Sequence, residues 1–169
     1  MARTVKARVY VLVEVEEIDT LLGAEQTSSR LLHRILYDRS FETGTTDTTQ
    51  LDRVWSSSAE IAAGTPRDVD LIGGETSQLN GLTTSFVDWA IMCIENQESA
   101  GDVQVGGDAN GAVGWISAAA TNVSVKPNGI LLWVAPAGVL PVAGTGDIVQ
   151  LAASAGTITT KALFAGRSA

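Results

Sequence analysis

Hydrophobic and polar positions alternate with period two at the start of the chain. Val5, Ala7, Val9, Val11, Val13 and Val15 are separated by Lys6, Arg8, Tyr10, Leu12 and Glu14, which predicts one long half-buried strand. A strand this regular must pair with the same chain, a sister subunit or another protein, because a bare edge templates aggregation. Between Ile18 and Tyr37 the pattern fits two elements. Ser28 or Ser29 caps a short helix over LLHRILYDR, with Leu31, Leu32, Ile35 and Leu36 as its apolar stripe, or the same residues form a strand. Phe41 to Gln50, FETGTTDTTQ, reads as a polar Thr-rich loop.

Beyond that loop lie short apolar segments with close turn signals. Strands are expected over Val54–Ala62, Asp68–Ile72, Phe86–Glu95, Val103–Val105, Val113–Ser117, Asn122–Val125, Ile130–Val134, Asp147–Ala152 and Thr157–Ala165. GTP (64–66), GG (73–74), GGDANG (106–111), KPNG (126–129) and GTGD (144–147) separate them. About eight strands at this spacing, without a convincing long helix, predict an all-β antiparallel sandwich or barrel. Phe86 to Ile94 is the expected central strand. Strict alternation puts Val87, Trp89, Ile91 and Cys93 on one face and Phe86, Ala90, Met92 and Ile94 on the other, with Asp88 at the rim.

Charge is distributed unevenly over the 169 residues. The first 70 hold 8 of the 11 basic and 12 of the 19 acidic side chains, whereas 14 of the 17 glycines lie beyond them. This shift predicts an N-terminal strand and charged attachment segment, residues 1–42, ahead of a β-sandwich domain, residues 43–169; the alternative is one domain whose first strands lie at a solvated edge. The formal net charge of −8, with no dense Lys/Arg block, argues against nucleic acid as a partner, since that affinity rests on phosphate neutralisation. The longest apolar window, Ile130 to Ala143, carries Pro136 and Pro141 and is too short for a membrane-spanning helix. No cleavage site follows an apolar core near the N-terminus, so synthesis in a cytosol without a secretory signal is expected.

Little points to catalysis. One Cys excludes an internal disulfide framework and Cys-based metal clusters, and one His excludes two- and three-His zinc sites. GGDANG offers oxygen ligands through Asp102, Asp108 and Asn110, but it lacks the spaced acids and distal Glu of a Ca²⁺ loop and reads as a hairpin turn. GTGD lacks the third glycine and the Lys-Ser/Thr of a phosphate loop. His33 has Asp38 and Ser28, Ser29 and Ser40 nearby, without the spacing of a triad. Cys93 sits in the most apolar strand as a small hydrophobe. The carboxylate pairs Glu95/Glu98, Asp68/Asp70 and Glu14/Glu16 read as solvated strand edges. Asn122-Val-Ser124 matches an N-glycosylation pattern that has no secretion signal behind it. Trp55, Trp89, Trp115 and Trp133 fall in four predicted strands, where core or interface positions fit better than sugar-stacking platforms. No catalytic, cofactor-binding or metal-ligating residue is assigned, no cofactor is expected, and the protein is read as a non-enzyme.

The order of several strings resembles the small β-sandwich virion proteins of tailed bacteriophages. ETGTTDTTQLDRVWSSSAEI leads into AAGTPRDVDLIGGETSQLNGLTTSF, then FVDWAIMCIEN and DVQVGGDANG; KPNGILLWVAP and GTGDIVQLAASAGTITTKALFAGRS close the match, which covers roughly residues 43–168. Residues 1–40 fall outside its clearest part. The resemblance implies a jelly-roll-like β-sandwich and a structural role in the particle. That role is a capsid decoration (cement) protein bound to the major capsid protein or other virion proteins on the capsid surface, or a tail or fibre component with a receptor- or glycan-binding role. It also implies a homo-oligomer, with a trimer favoured, while residues 4–16 offer a strand for exchange or β-augmentation.

Overall fold

Period-two patterning yields strands throughout the computed structural model, which describes residues 4–19, 29–47, 49–72, 75–76, 83–106, 122–135, 140–141 and 147–168. In chain order the strands are β1 (Ala7–Asp19), β2 (Ser29–Thr43), β3 (Gln50–Leu51), β4 (Arg53–Ala62), β5 (Arg67–Asp70), β6 (Glu75–Thr76), β7 (Thr83–Thr84), β8 (Asp88–Asn96), β9 (Val103–Gly106), β10 (Asn122–Val125), β11 (Ile130–Val134), β12 (Leu140–Pro141), β13 (Ile148–Ala153) and β14 (Thr157–Arg167). The chain divides into two compact units, Lys6–Phe41 and Met1–Val5 with Glu42–Ala169.

The smaller unit is a β-ribbon. β1 and β2 pair antiparallel from Ala7↔Phe41 to Asp19↔Ser29. The same chain therefore supplies the partner of the first strand, and the alternative of a helix over LLHRILYDR is overturned. Pairing explains why: opposite β1, Ile35 and Leu36 fall on different faces, across from Val13 and Leu12 respectively, whereas a helix would need its own apolar stripe buried. Arg8 forks onto Asp38, with Nε to Oδ1 at 2.9 Å and Nη2 to Oδ2 at 2.6 Å. That hydrogen bond, more than the charge itself, holds the Asp38 carboxyl below the usual carboxylate range.

In the larger unit two antiparallel sheets form a β-sandwich. One runs β10-β9-β13-β5; the other runs β11-β8-β14-β4, with β12 also on β8. Residues on the inner faces of both sheets share one core, including Val69, Val103, Val149 and Leu151 from the first and Trp55, Met92, Ile94 and Phe164 from the second. Trp89 packs against Trp133 at 4.4 Å with the rings tilted by 53° and meets Phe164 edge-on at 6.0 Å. Aromatic burial of this kind dominates a core otherwise built from Val, Ile and Leu. At the KPNG turn, Gly129 N–H donates to the Lys126 carbonyl at 2.8 Å, and Asn128 supplies the left-handed residue with φ 56°.

Strict alternation fails in β8. Trp89 is fully buried in the same core as Met92 and Ile94, not on the face of Cys93. The register shifts at Ala165/Gly166: Ala165 pairs with Ile91, whereas Gly166 pairs with Trp89, so Ala90 is the extra residue of a bulge. A bulge inverts the parity of everything before it. Gly166 is required there, since an added Cβ would lie 2.7 Å from Trp89 Cα and 2.9 Å from Phe86 Cδ1. Asp88 then meets Arg167 at the sheet rim in a two-pronged pair, Nε to Oδ1 at 2.8 Å and Nη2 to Oδ2 at 2.5 Å.

Candidate functional site

The two sheets present different outer faces. On the β10-β9-β13-β5 sheet, Ser124, Gln104 and Ala152 share one cross-strand row, and Gln150 pairs with Asp68 in another. Gln150 Nε2 donates to Asp68 Oδ1 at 2.8 Å. This is the polar-out pattern of a solvated antiparallel sheet.

The opposite outer face carries an apolar row beside a charged and polar one. Leu131 and Trp133 of β11 pack on the core, so Ile130, Leu132 and Val134 turn the other way. Register aligns Leu132–Cys93–Leu163–Ser56 in one row and Ile130–Glu95–Lys161–Ser58 in the next. Ile130 is 64% exposed and Leu163 36%. A shallow open depression of about 420 Å³ lies over this face, lined by Ser56, Ser58, Cys93, Glu95, Lys161 and Leu163 among others.

That depression holds groups that catalysis uses, in a state that suits packing better. Burial first, and the charge of Glu95 second, push the Cys93 thiol up from its ordinary value, which keeps it protonated and a poor nucleophile at neutral pH. Glu95 faces Lys161 at 3.8 Å with both side chains about half exposed, an ion pair of small energetic weight.

The other residues singled out from sequence do not converge. Asp102 accepts from Lys126 Nζ at 2.6 Å, while Asp108 and Asn110 lie outside the described residues. Residues 144–146 of GTGD also lie outside them, and Asp147 leads directly into strand β13, without the helix N-terminus that a phosphate loop needs. His33 falls in β2 opposite Val15, its side chain outside the described residues, and Asp38 is engaged by Arg8. Of the carboxylate pairs, Asp70 Oδ1 accepts from Ile72 N–H at 3.0 Å, Glu98 Oε1 accepts from Thr159 N–H at 3.3 Å, and Glu14 faces Arg34 at 3.6 Å. Trp55 and Trp89 are buried, Trp133 is half-buried against Trp89, and Trp115 and the strand expected over Val113–Ser117 lie outside the described residues. Among the described residues no group of three or more His, Cys, Asp or Glu is placed to hold a metal ion, and no helix is long and apolar enough to cross a membrane.

The apolar row on this outer face was missed by sequence reasoning, although a signal existed. ILLWV in β11 is apolar at both parities, which marks a strand with contacts on two sides. Compared with protein-family models, curated proteins and solved structures, the chain matches none.

Proposed function

We propose that this chain is a non-enzymatic structural protein of a tailed-phage virion, a decoration protein that binds the major capsid protein on the outside of the shell. The observation that carries the reading is the contrast between the sandwich's two outer faces: one polar and solvated, the other carrying Ile130, Leu132 and Leu163 beside the Glu95–Lys161 pair. Exposed apolar side chains of this kind favour contact with another protein, and the depression beside them is shallow and open. Strand order supports the jelly-roll form of the sandwich. With the eight sandwich strands of four or more residues numbered in chain order, one sheet runs 6-3-8-1 and the other 5-4-7-2. That interleaving of two Greek keys recurs in viral coat domains, and also in lectins and cupins.

The rival role of a glycan-binding tail or fibre head finds less support, because Trp55 and Trp89 are sealed in the core and offer no platform to a sugar. The test is co-sedimentation of the purified protein with mature capsid shells. Saturable binding at a fixed number of copies per shell is expected, weakened by Ile130→Glu or Leu163→Glu. Absence of binding to shells of any maturation state would overturn the reading.

A further inference from the structure

We infer that the free edge of β1 is a self-association surface, on which a second copy of this chain adds its own β1 antiparallel about a two-fold axis at Val11. The inference rests on the reading of the chain as an assembly protein and names how copies join. β1 closes one end of its sheet, order β1-β2-β3, so its thirteen residues present an unpaired row of backbone donors and acceptors among the described residues. Sheets of few strands are marginal in water, and Tyr10 (54%), Leu12 (38%) and Val13 (46%) are exposed on β1 itself. Pairing along that edge extends two strands to four.

Charge selects the partner and the register. β1 is basic at its start, with Lys6 and Arg8, and acidic toward its end, with Glu14, Glu16 and Glu17. A parallel second copy in register would set Arg8 on Arg8 and Glu14 on Glu14, which is unfavourable. An antiparallel copy reverses the gradient and makes the strand complementary to itself. Backbone groups point outward at every second residue of an edge strand, so a two-fold register must centre on a residue. Centred on Val11, it sets Arg8 opposite Glu14 and Lys6 opposite Glu16, with Val9 opposite Val13. A centre at Tyr10 or Leu12 leaves Arg8 or Lys6, respectively, opposite an apolar residue.

The internal pairs extend this match into a ladder. Arg8 is already bound to Asp38, and Glu14 faces Arg34. The four-stranded sheet then carries Ser40, Arg8, Glu14 and Arg34 in one row, with Asp38 reaching Arg8 diagonally from the row of Tyr10. On the other face Tyr37, Val11, Val11 and Tyr37 form the central row. The contact is isologous and closes at two copies, in place of the threefold assembly that the phage resemblance implies.

The experiment is native mass spectrometry and light scattering of the full chain in solution without capsids. The wild type is expected to be a dimer. Arg8→Glu and Glu14→Arg each set like charges opposite one another twice, and each is expected to weaken dimerisation about tenfold or more. Mixing the two variants restores both opposite-charge pairs, and heterodimers should form at wild-type strength. A second variant guards against misfolding: Val11→Cys in a Cys93→Ser background should oxidise to a symmetric disulfide, since directly opposed residues lie within bridging distance. A monomer at all concentrations, a trimer, or single variants that dimerise like the wild type would overturn the inference. None of these outcomes bears on capsid binding, which the co-sedimentation assay reads separately.

Discussion

Replacing Asn96 by alanine removes the side chain that joins the two sheets at the end of β8. Asn96 is fully buried; its Nδ2 donates to the Gly101 carbonyl at 2.9 Å and to the Val125 carbonyl at 3.1 Å, and its Oδ1 accepts from Glu98 N–H at 3.1 Å. Val125 belongs to β10 in the opposite sheet, so one amide spans the sandwich. Three hydrogen bonds at about 1 kcal/mol each give a loss of about 3 kcal/mol. For a chain of this size that lowers the melting midpoint by about 6–12 °C. Asn96→Asp keeps the shape but turns a carboxylate oxygen toward two carbonyl oxygens, and is expected to cost more than alanine at neutral pH. Its folded state binds a proton more tightly than the unfolded chain, so part of the loss should return as pH falls. Thermal unfolding followed by near-UV circular dichroism reads both effects. An alanine variant melting within about 1 °C of wild type, or an aspartate variant no worse than alanine, would refute the bridging role.

Four further outcomes are expected. Gly166→Ala drives a Cβ onto the backbone of Asp88 and Trp89 and should lose about 1–3 kcal/mol in urea unfolding, whereas a neutral result contradicts the close approach at the bulge. Cys93 should react with iodoacetamide more slowly than a free thiol at pH 8, and with a rate still rising above the ordinary thiol range; fast alkylation contradicts its raised pKa. Asp38 titrates low because Arg8 bonds it, so its support of the ribbon is present above the ordinary carboxylate range and lost as pH falls through the depressed value. By NMR titration, Arg8→Ala should bring that carboxyl back up, and an unmoved titration would contradict the pairing. Acrylamide should quench Trp55 and Trp89 poorly in the native protein, and ready quenching would contradict their burial.

Much of the fold was legible because period two is a strong signal where one face is buried. Asn122–Val125 and Ile130–Val134 were predicted to the residue, and Val54–Ala62 and Thr157–Ala165 to within one or two. Two features resisted. The faces of β8 were misassigned at Trp89 because a bulge at Ala90 inverts parity, and a bulge depends on what the neighbouring strand brings opposite it. β2 was ambiguous because Leu31, Leu32, Ile35 and Leu36 satisfy helical spacing, and only pairing with β1 decides for strand. The candidate surface was less legible still. Leu132, Cys93 and Leu163 form one apolar row only because register sets three distant segments side by side, and no local pattern carries that register.

Imaging of particles by electron cryomicroscopy, from cells expressing the phage with and without this chain, tests the central claim most directly. The account expects repeated density on the outside of the shell that vanishes when the chain is absent, with the outer face of the five-stranded sheet turned toward the capsid. Particles that lack the chain in both cases, or that carry it only at the tail, would contradict it.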